Sequence, residues 1–567
     1  MNPSAPHRLS VVFCWHMHQP FYRDADSGRY ALPWVYLHAI KDYTDMAAIL
    51  EQVPGARAVV NFVPSLMLQI QDYAERIRAW LDRGEALPDP LLAALAHEDG
   101  DYTGEERAWL LETCFRLNHE RNLHRYPAYS RLWHLAEQCR GQDAIAYLGD
   151  HYFTDLVTWY HLAWLGETVR NTHFVARRLI EKARDFTAQD RRDLITLIAS
   201  LLTDIPDRYQ RLAEAGKIEL STTPYAHPIL PLLLDFNAAR ETVPDALIPD
   251  ENYPDGEARA REHIELARRV HRDSFGRDAR GCWPAEGAVS QAAVNLLEEA
   301  GFEWCATGEG VLHHSLGYNL REIQGGRDLY HPWRTREDGR MVCFFRDDRL
   351  SDLIGFEYQK WNAEDAVANL VHELAGIHHR TQGERAPIVA IIMDGENAWE
   401  HYVENGVPFL TALYQAIAEH EALELTTFSD YLDAHGRDAP ALPRLVAGSW
   451  VYGNLATWIG DAAKTRGWEL LIEAKRAFDE AMASSSLSPE QEAAAREQLR
   501  ICEGSDWCWW FGDYNPESAV RDFDRLYRAH LRKLYQLIGR PAPASLDAPI
   551  STGGGDAEGG GTMRRGV

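Results

Sequence analysis

Six short apolar runs recur along the chain: Val11-Val12-Phe13-Cys14, Ala58-Val59-Val60-Asn61-Phe62, Lys217-Ile218-Glu219-Leu220, Phe302-Glu303-Trp304-Cys305, Met341–Phe345 and Ile388–Met393. Helical or loop-like sequence separates each from the next. Near-continuous apolar strands alternating with helices predict a parallel α/β sheet or barrel. Several runs end in polar residues: His16 and His18 after the first, Asp347 and Asp348 after the fifth, Asp394 after the sixth. Strand C-termini are where barrels and open α/β sheets alike place their ligands, so the pattern locates a site without choosing between the two.

Between the second and third runs, Tyr73 to Gly216 reads as mostly helical, with Leu194, Ile195, Leu197, Ile198, Leu201 and Leu202 at helical spacing. This insertion is expected to pack over the mouth of the sheet or barrel. After about residue 435 the strand pattern stops. Ser488-Pro489-Glu490-Gln491 has the form of a capping-box helix start, and Phe523, Leu526, Leu531, Leu534, Leu537 and Ile538 outline a final amphipathic helix. The expected organisation is a catalytic unit at 1–435, a helical C-terminal domain at 436–540 and a disordered Pro/Ala/Gly/Ser-rich tail at 541–567.

Charge and composition exclude several classes of function. With 58 Lys+Arg against 85 Asp+Glu the net charge is −27, a field that repels nucleic-acid backbones and anionic membranes. No stretch approaches the roughly 20 apolar residues that span a bilayer. The first residues lack a signal h-region, so a cytoplasmic protein is expected. Eight scattered cysteines without a C-x-x-C pair suggest reduced thiols. The 18 Trp and 24 Tyr fit either core packing or stacking on sugar rings.

Three segments carry candidate chemistry. Trp15-His16-Met17-His18-Gln19-Pro20 puts two imidazoles on one side of an extended backbone, able to bind a metal or a sugar. Gly281-Cys282-Trp283-Pro284-Ala285-Glu286-Gly287 places a carboxylate at a strand end or loop, where it is a catalytic group or an ordinary solvated glutamate. Ile391-Ile392-Met393-Asp394-Gly395-Glu396-Asn397-Ala398-Trp399-Glu400 runs a buried strand into three acids. That suits a general acid of raised pKa, an oxygen-ligand metal site or a plain turn. Two carboxylates on separate strand ends are what glycosidic cleavage requires. No Walker loop, G-x-S-x-G elbow or H-E-x-x-H motif is present; His372-Glu373 lies among Val367, Leu370, Val371 and Leu374 on a helix face.

Five segments in order, His16–Tyr22, Gly216–Pro228, Gly281–Ser290, Ile391–Glu400 and Glu503–Gly512, resemble glycoside hydrolase family 57, a family of α-amylases, amylopullulanases, 4-α-glucanotransferases and branching enzymes. The resemblance implies an incomplete (β/α)7 TIM-like barrel with a helical C-terminal domain, acting on α-glucans with no metal or other cofactor. It implies retaining cleavage of α-1,4 bonds, with α-1,6 bonds as a further target, Glu286 as nucleophile and Asp394 as general acid/base. His16, His18, Glu219 and His227 fall where that family contacts sugar, and Asp506 and Trp509 match its last motif. Trp283 and Trp399 within the matched segments are further candidate substrate contacts. Gly448-Ser449-Trp450 and Asn454–Gly460 resemble the amylase and amylopullulanase branch, with Trp450 and Trp458 as sugar platforms or packing residues. A glucanotransferase or branching enzyme would use the same residues. A zinc-dependent deacetylase or mannosidase, or a non-catalytic glucan-binding protein, are the readings of other classes.

Overall fold

The computed structural model describes residues 8–139, 145, 147–436, 438–484 and 487–555. Seven parallel strands close into a barrel: β1 (Leu9–Met17), β2 (Ala58–Phe62), β3 (Ile218–Thr222), β4 (Gly281–Cys282), β5 (Trp304–Gly308), β7 (Val342–Arg346) and β8 (Ile388–Asp394), with β8 pairing back onto β1. The short β6 (Trp333–Arg334) is antiparallel to β7. β9 (Leu423–Leu425) pairs with Leu9, Ser10 and Val11 at the start of β1, below the Cys14–Met17 stretch that pairs with β2. A three-residue strand thus fills the bottom of a seam that the seven main strands leave open. β4, β6 and β9 are too short for sequence periodicity to reveal; the other strands coincide with the six apolar runs to within a few residues.

Alternation along each strand divides the apolar residues into two cores. Val12, Cys14, Val59, Trp304, Phe344 and Ile392 fill the barrel. Val11, Phe13, Trp15, Val60 and Met393 face the surrounding helices. The helix Phe428–His435 plugs the barrel floor with Phe428, Tyr431 and Leu432. Glu219 belongs to this floor. It faces Val59 in register, one layer below the mouth, and accepts hydrogen bonds from Trp304 Nε1 at 2.7 Å and from the Ser429 backbone N–H at 2.9 Å. Glu219, expected as a sugar contact, is thus placed in the barrel floor away from the residues that line the cleft, where it anchors the first turn of the plug helix.

The stretch 73–216 is built of helices, from the end of Pro64–Arg83 to the 27-residue Ala188–Glu214. Past the barrel come helices Ala462–Ala483, Pro489–Cys502, Asp506–Trp510 and Glu517–Leu537, and Ser488 makes the capping box with Gln491. Residues 541–555 differ from the expected disorder. Leu546 is buried, its carbonyl accepts from Arg528 Nη1 at 3.0 Å, and the Gly554 and Gly555 N–H groups bond the Asn515 carbonyl at 3.1 Å. Composition was a poor guide because a few apolar residues and backbone donors suffice to dock so short a segment. Residues 556–567 lie outside the described residues. Among the described residues, no helix is long and apolar enough to cross a membrane.

Replacing Glu219 by alanine strands the Ser429 N–H in a buried barrel floor and leaves the Trp304 indole only its longer bond to Ser429 Oγ at 3.3 Å. We expect a stability loss of about 1–3 kcal/mol in denaturant unfolding with KM unchanged. A raised KM at wild-type stability would restore the sugar-contact reading.

Candidate active site

The mouth of the barrel opens into a cleft of about 780 Å³. Strand ends supply its floor, the helical insertion supplies Asn118 and Trp164 on one wall, and the C-terminal helices supply Asp506, Trp509 and Phe523 on another. Of the twelve candidate residues, His16, His18, Glu286, Asp394, Trp450, Asp506 and Trp509 line it, and His227 lies directly behind the histidines.

Glu286 sits on a short turn, Ala285–Gly287, with φ 58° and ψ 22°, a left-handed conformation that a non-glycine residue adopts at a cost. The surroundings enforce it. The backbone N–H of Trp450 donates to the Glu286 carbonyl at 3.1 Å, and Thr307 Oγ1 donates to the Gly287 carbonyl at 2.6 Å. A Cβ on Gly287 would lie 2.7 Å from the Trp283 ring, so glycine is required there. The result aims the Glu286 carboxylate into the cleft, where Oε2 accepts from the Trp450 indole N–H at 2.8 Å.

Asp394 ends β8, opposite His16 in the register with β1. The turn after it is set by Gly395, whose N–H donates to the His16 carbonyl at 2.7 Å and whose position leaves no room for a side chain, since a Cβ would meet Met17 Sδ at 2.1 Å. Burial pushes the Asp394 carboxyl up to about 6, against the opposing pull of the Asn397 hydrogen bond and of the nearby His18 and Arg346. Glu396, on the same turn, is raised well above its ordinary value by burial and by Asp394. Its Oε1 accepts from the His18 N–H and from Gln19, each at 3.1 Å.

The three histidines stack together, and two of them, His16 and His227, are hydrogen-bonded to each other. His16 Nδ1 meets Asn61 Oδ1 at 2.7 Å, which makes it the N–H and leaves Nε2 as an acceptor. His227 Nε2, 3.1 Å away, must then donate, and its Nδ1 accepts from the Ser505 hydroxyl at 2.8 Å. Burial and the repulsion of His18 drive His16 down to about 3, and burial with both neighbouring histidines drives His227 well below its ordinary value. Both are neutral hydrogen-bonding groups. His18 stacks on His227 at 3.8 Å between ring centres and reaches Asp506 Oδ1 through Nε2 at 2.7 Å.

His18, His227 and Asp506 are also the described residues close enough together to hold a metal ion. The rings lie 18° from parallel, which points their in-plane lone pairs side by side instead of toward a common centre, and the His227 nitrogens are engaged by His16 and Ser505. The set fits a hydrogen-bonded cluster better than a tetrahedral site.

Three candidate tryptophans do not reach the cleft. Trp283 is buried inside the barrel, edge-on to Trp450 with ring centres 5.2 Å apart. Trp399 is buried against Trp15 and donates to the Gly395 carbonyl at 2.9 Å, bracing the Asp394 turn. Trp458 is buried behind Trp509. Each lies beside a cleft residue in sequence or space, which is why motif position alone suggested contact. Sequence reasoning missed Arg346, Glu396, Trp34 and Trp164 as cleft residues. The strand-end rule pointed at Arg346 through its neighbours Asp347 and Asp348, whereas Trp34 and Trp164 are brought in by tertiary packing with no local signal.

The sequence profile of glycosyl hydrolase family 57 matches residues 12–442. No curated protein matches the chain. Among solved structures, it is similar to a novel α-amylase from Thermotoga maritima at TM-score 0.59 and 14% identity, covering 94% of this chain and 93% of that one. It is also similar to a branching enzyme of the same family type from Pyrococcus horikoshii, at TM-score 0.56 and 14% identity, covering 99% of both chains. A 4-α-glucanotransferase from Thermococcus litoralis has TM-score 0.51 and 14% identity, covering 94% of this chain and 60% of that one. At such identity these likenesses establish the fold alone.

A carboxyl group whose pKa is raised by folding weakens the folded state as pH rises from its unfolded to its folded value. Asp394→Asn removes that charge at nearly constant volume. The variant should unfold at a higher temperature than wild type above about pH 6, with the difference vanishing below about pH 4. Parallel Tm–pH curves would show that Asp394 carries no such penalty.

Proposed function

The chain belongs to glycosyl hydrolase family 57, and from that premise we propose that it is a retaining glycosidase cleaving α-1,4 glucosidic bonds of starch- or glycogen-type glucans. The observation that carries this reading is the pair of acids in one cleft with opposed environments. Glu286 is held by an indole N–H that suits an ionised carboxylate, and Asp394 is kept protonated to higher pH by burial.

Glu286 attacks the anomeric carbon while Asp394 gives its proton to the departing glucosidic oxygen, leaving a sugar joined to Glu286 and Asp394 ionised. Asp394 then takes a proton from water, whose oxygen displaces Glu286 and restores the original anomeric configuration. His18, whose Nδ1 has no hydrogen-bond partner among the described residues, and Asp506 provide hydrogen bonds for sugar hydroxyls beside the scissile bond, and the neutral His16–His227 pair packs behind them. Trp450 and Trp509 present aromatic surface to the ring faces.

The same intermediate passes its sugar to a second glucan if the acceptor outcompetes water, and solved structures of this fold include a branching enzyme and a glucanotransferase. Mass spectrometry of products from one defined malto-oligosaccharide separates the outcomes. Shorter chains alone mean hydrolysis; longer and shorter chains together mean transfer. Glu286→Ala should abolish both and, with azide added, yield a glycosyl azide of the opposite anomeric configuration to the substrate. Wild-type rates from that variant would remove Glu286 from the mechanism.

Because the acid must be protonated, kcat/KM should fall as pH rises through about 6, and Asp394→Asn should remove that limb together with the activity. A chain with all eight cysteines free is consistent with cytoplasmic glucan metabolism; recovery of the protein from an extracellular fraction would overturn that placement. Exhaustive dialysis against EDTA should leave the rate unchanged. Loss of activity restored by zinc would transfer the chemistry to His18, His227 and Asp506.

A further inference from the structure

Arg346, the last residue of β7, lines the cleft yet is only 5% exposed. Its guanidinium is fixed along three directions: Nε donates to the Ile392 carbonyl at 2.8 Å, Nη1 to Asp348 at 2.6 Å and Nη2 to Asp352 at 2.9 Å. Its guanidinium carbon lies over the Trp450 ring, 5.5 Å from the centroid. Ile392 stands two residues before Asp394 on β8. Trp450 holds Glu286 twice, by its indole N–H and by its backbone N–H. One side chain therefore touches both the strand that presents Asp394 and the indole that presents Glu286.

We propose that Arg346 is a positioning residue that ties Glu286 and Asp394 into one rigid unit by pinning the Ile392 carbonyl on one side and the Trp450 ring on the other. The proposal rests on the reading of those two acids as nucleophile and acid/base. It also gives Arg346 an electrostatic effect. The groups facing Asp394 are His16 and His18 from the end of β1, Glu396 from its own turn and Arg346 from β7, and Arg346 favours the ionised form. Asp348 and Asp352 lie behind the guanidinium. Burial lifts Asp348 to about 7, with Glu309 adding to the rise and Arg346 opposing it. Arg346 is nonetheless among the groups that pull the Asp394 carboxyl down, so its charge is felt there despite its two carboxylate partners.

The decisive comparison is Arg346→Lys with Arg346→Met, each checked for native near-UV circular dichroism and assayed across pH on a malto-oligosaccharide. Lysine keeps the charge but loses the planar guanidinium and its three fixed donors. Arg346→Lys should lose about 10- to 100-fold in kcat with little change in KM, as expected for misplaced reacting groups. Its alkaline limb should stay in place. Arg346→Met should show the same loss and move that limb upward by about half a pH unit or more. Methionine leaves Asp348 and Asp352 without their cation, so if that variant does not fold, Arg346→Lys carries the test together with Trp450→Phe.

Trp450→Phe keeps a ring under the guanidinium and removes the bond to Glu286. Combined with Arg346→Lys, its loss should be smaller than the product of the two single losses, because both break one unit. Wild-type kcat in Arg346→Lys, a lowered Tm with unaltered kinetics, or losses that multiply in the double variant would each overturn the proposal. Those results alongside an inactive Glu286→Ala would sink only the role of Arg346, whereas an active Glu286→Ala would sink the reading beneath it.

Discussion

The site depends on one buried carboxylate that is not in it. Glu503, fully enclosed, accepts hydrogen bonds from Tyr253 Oη, from two nitrogens of Arg259 and from His263 Nε2, all at 2.7 Å. Burial alone would raise its pKa, but Arg259 and His263 overcome that and hold it well below the carboxylate range. A buried ion is expensive unless its partners are this complete. What the arrangement secures is geometry, because the next three residues deliver the C-terminal helices to the barrel. Gly504 passes close to the Ala226 carbonyl, the Ser505 N–H donates to the His227 carbonyl at 2.9 Å, and Asp506 reaches His18. His227 and Ala226 are both left-handed, at φ 61° and 60°, a conformation the Ser505 contacts help to hold. A loop after β3 and a turn after the helix Pro489–Cys502 thus brace each other through Glu503.

Much of this was legible in the residues. Long strands announced themselves as apolar runs because both of their faces are buried, and the strand-end rule led directly to His16, His18 and Asp394. The short β4 left no periodic trace, yet Glu286 beside it was recognisable from the Trp-Pro-Ala-Glu-Gly wording around it. Depth was the hidden quantity. Glu219 and His227 come from one matched segment, Gly216–Pro228, but a strand advances about 6.6 Å over the two residues between successive inward-facing positions, so neighbours in a motif occupy different layers. Ser221 takes the mouth position on β3, bonded to Asn61, while Glu219 lies one layer down among the plug-helix residues. The same limit explains Trp399 and Trp458, which support the cleft from behind.

The tryptophans also divide by layer. Among those with a face in the cleft, Trp450 and Trp509 each rest against a second, buried indole, Trp283 or Trp458. A stacking surface must hold its angle to be useful to a sugar ring, and a rigid aromatic wall behind it supplies that at little entropic cost. The aromatic excess in the composition therefore has two causes that the chain alone could not separate.

The two acids have distinct electrostatic surroundings within an acid-rich molecule and cleft. The chain carries a net charge of −27, and the groups around the two acids include an indole donor, the neutral His16 and His227, the buried Glu396 and the caged Arg346. A neutral glucan does not need long-range steering, so a negative surface costs it nothing on approach. What the chemistry needs is a local asymmetry. Glu286 must stay charged while Asp394, in the same low-dielectric cleft, holds its proton until the bond breaks. Separating them beyond the ends of β4 and β8, with an indole given to one and burial to the other, achieves this in a cleft that also carries Glu396, Glu400 and Asp506. Adding a further cation beside Asp394 to strengthen binding would defeat the purpose by ionising the acid; Arg346, the cation that lies there among the described residues, already pulls that way and is outweighed by burial.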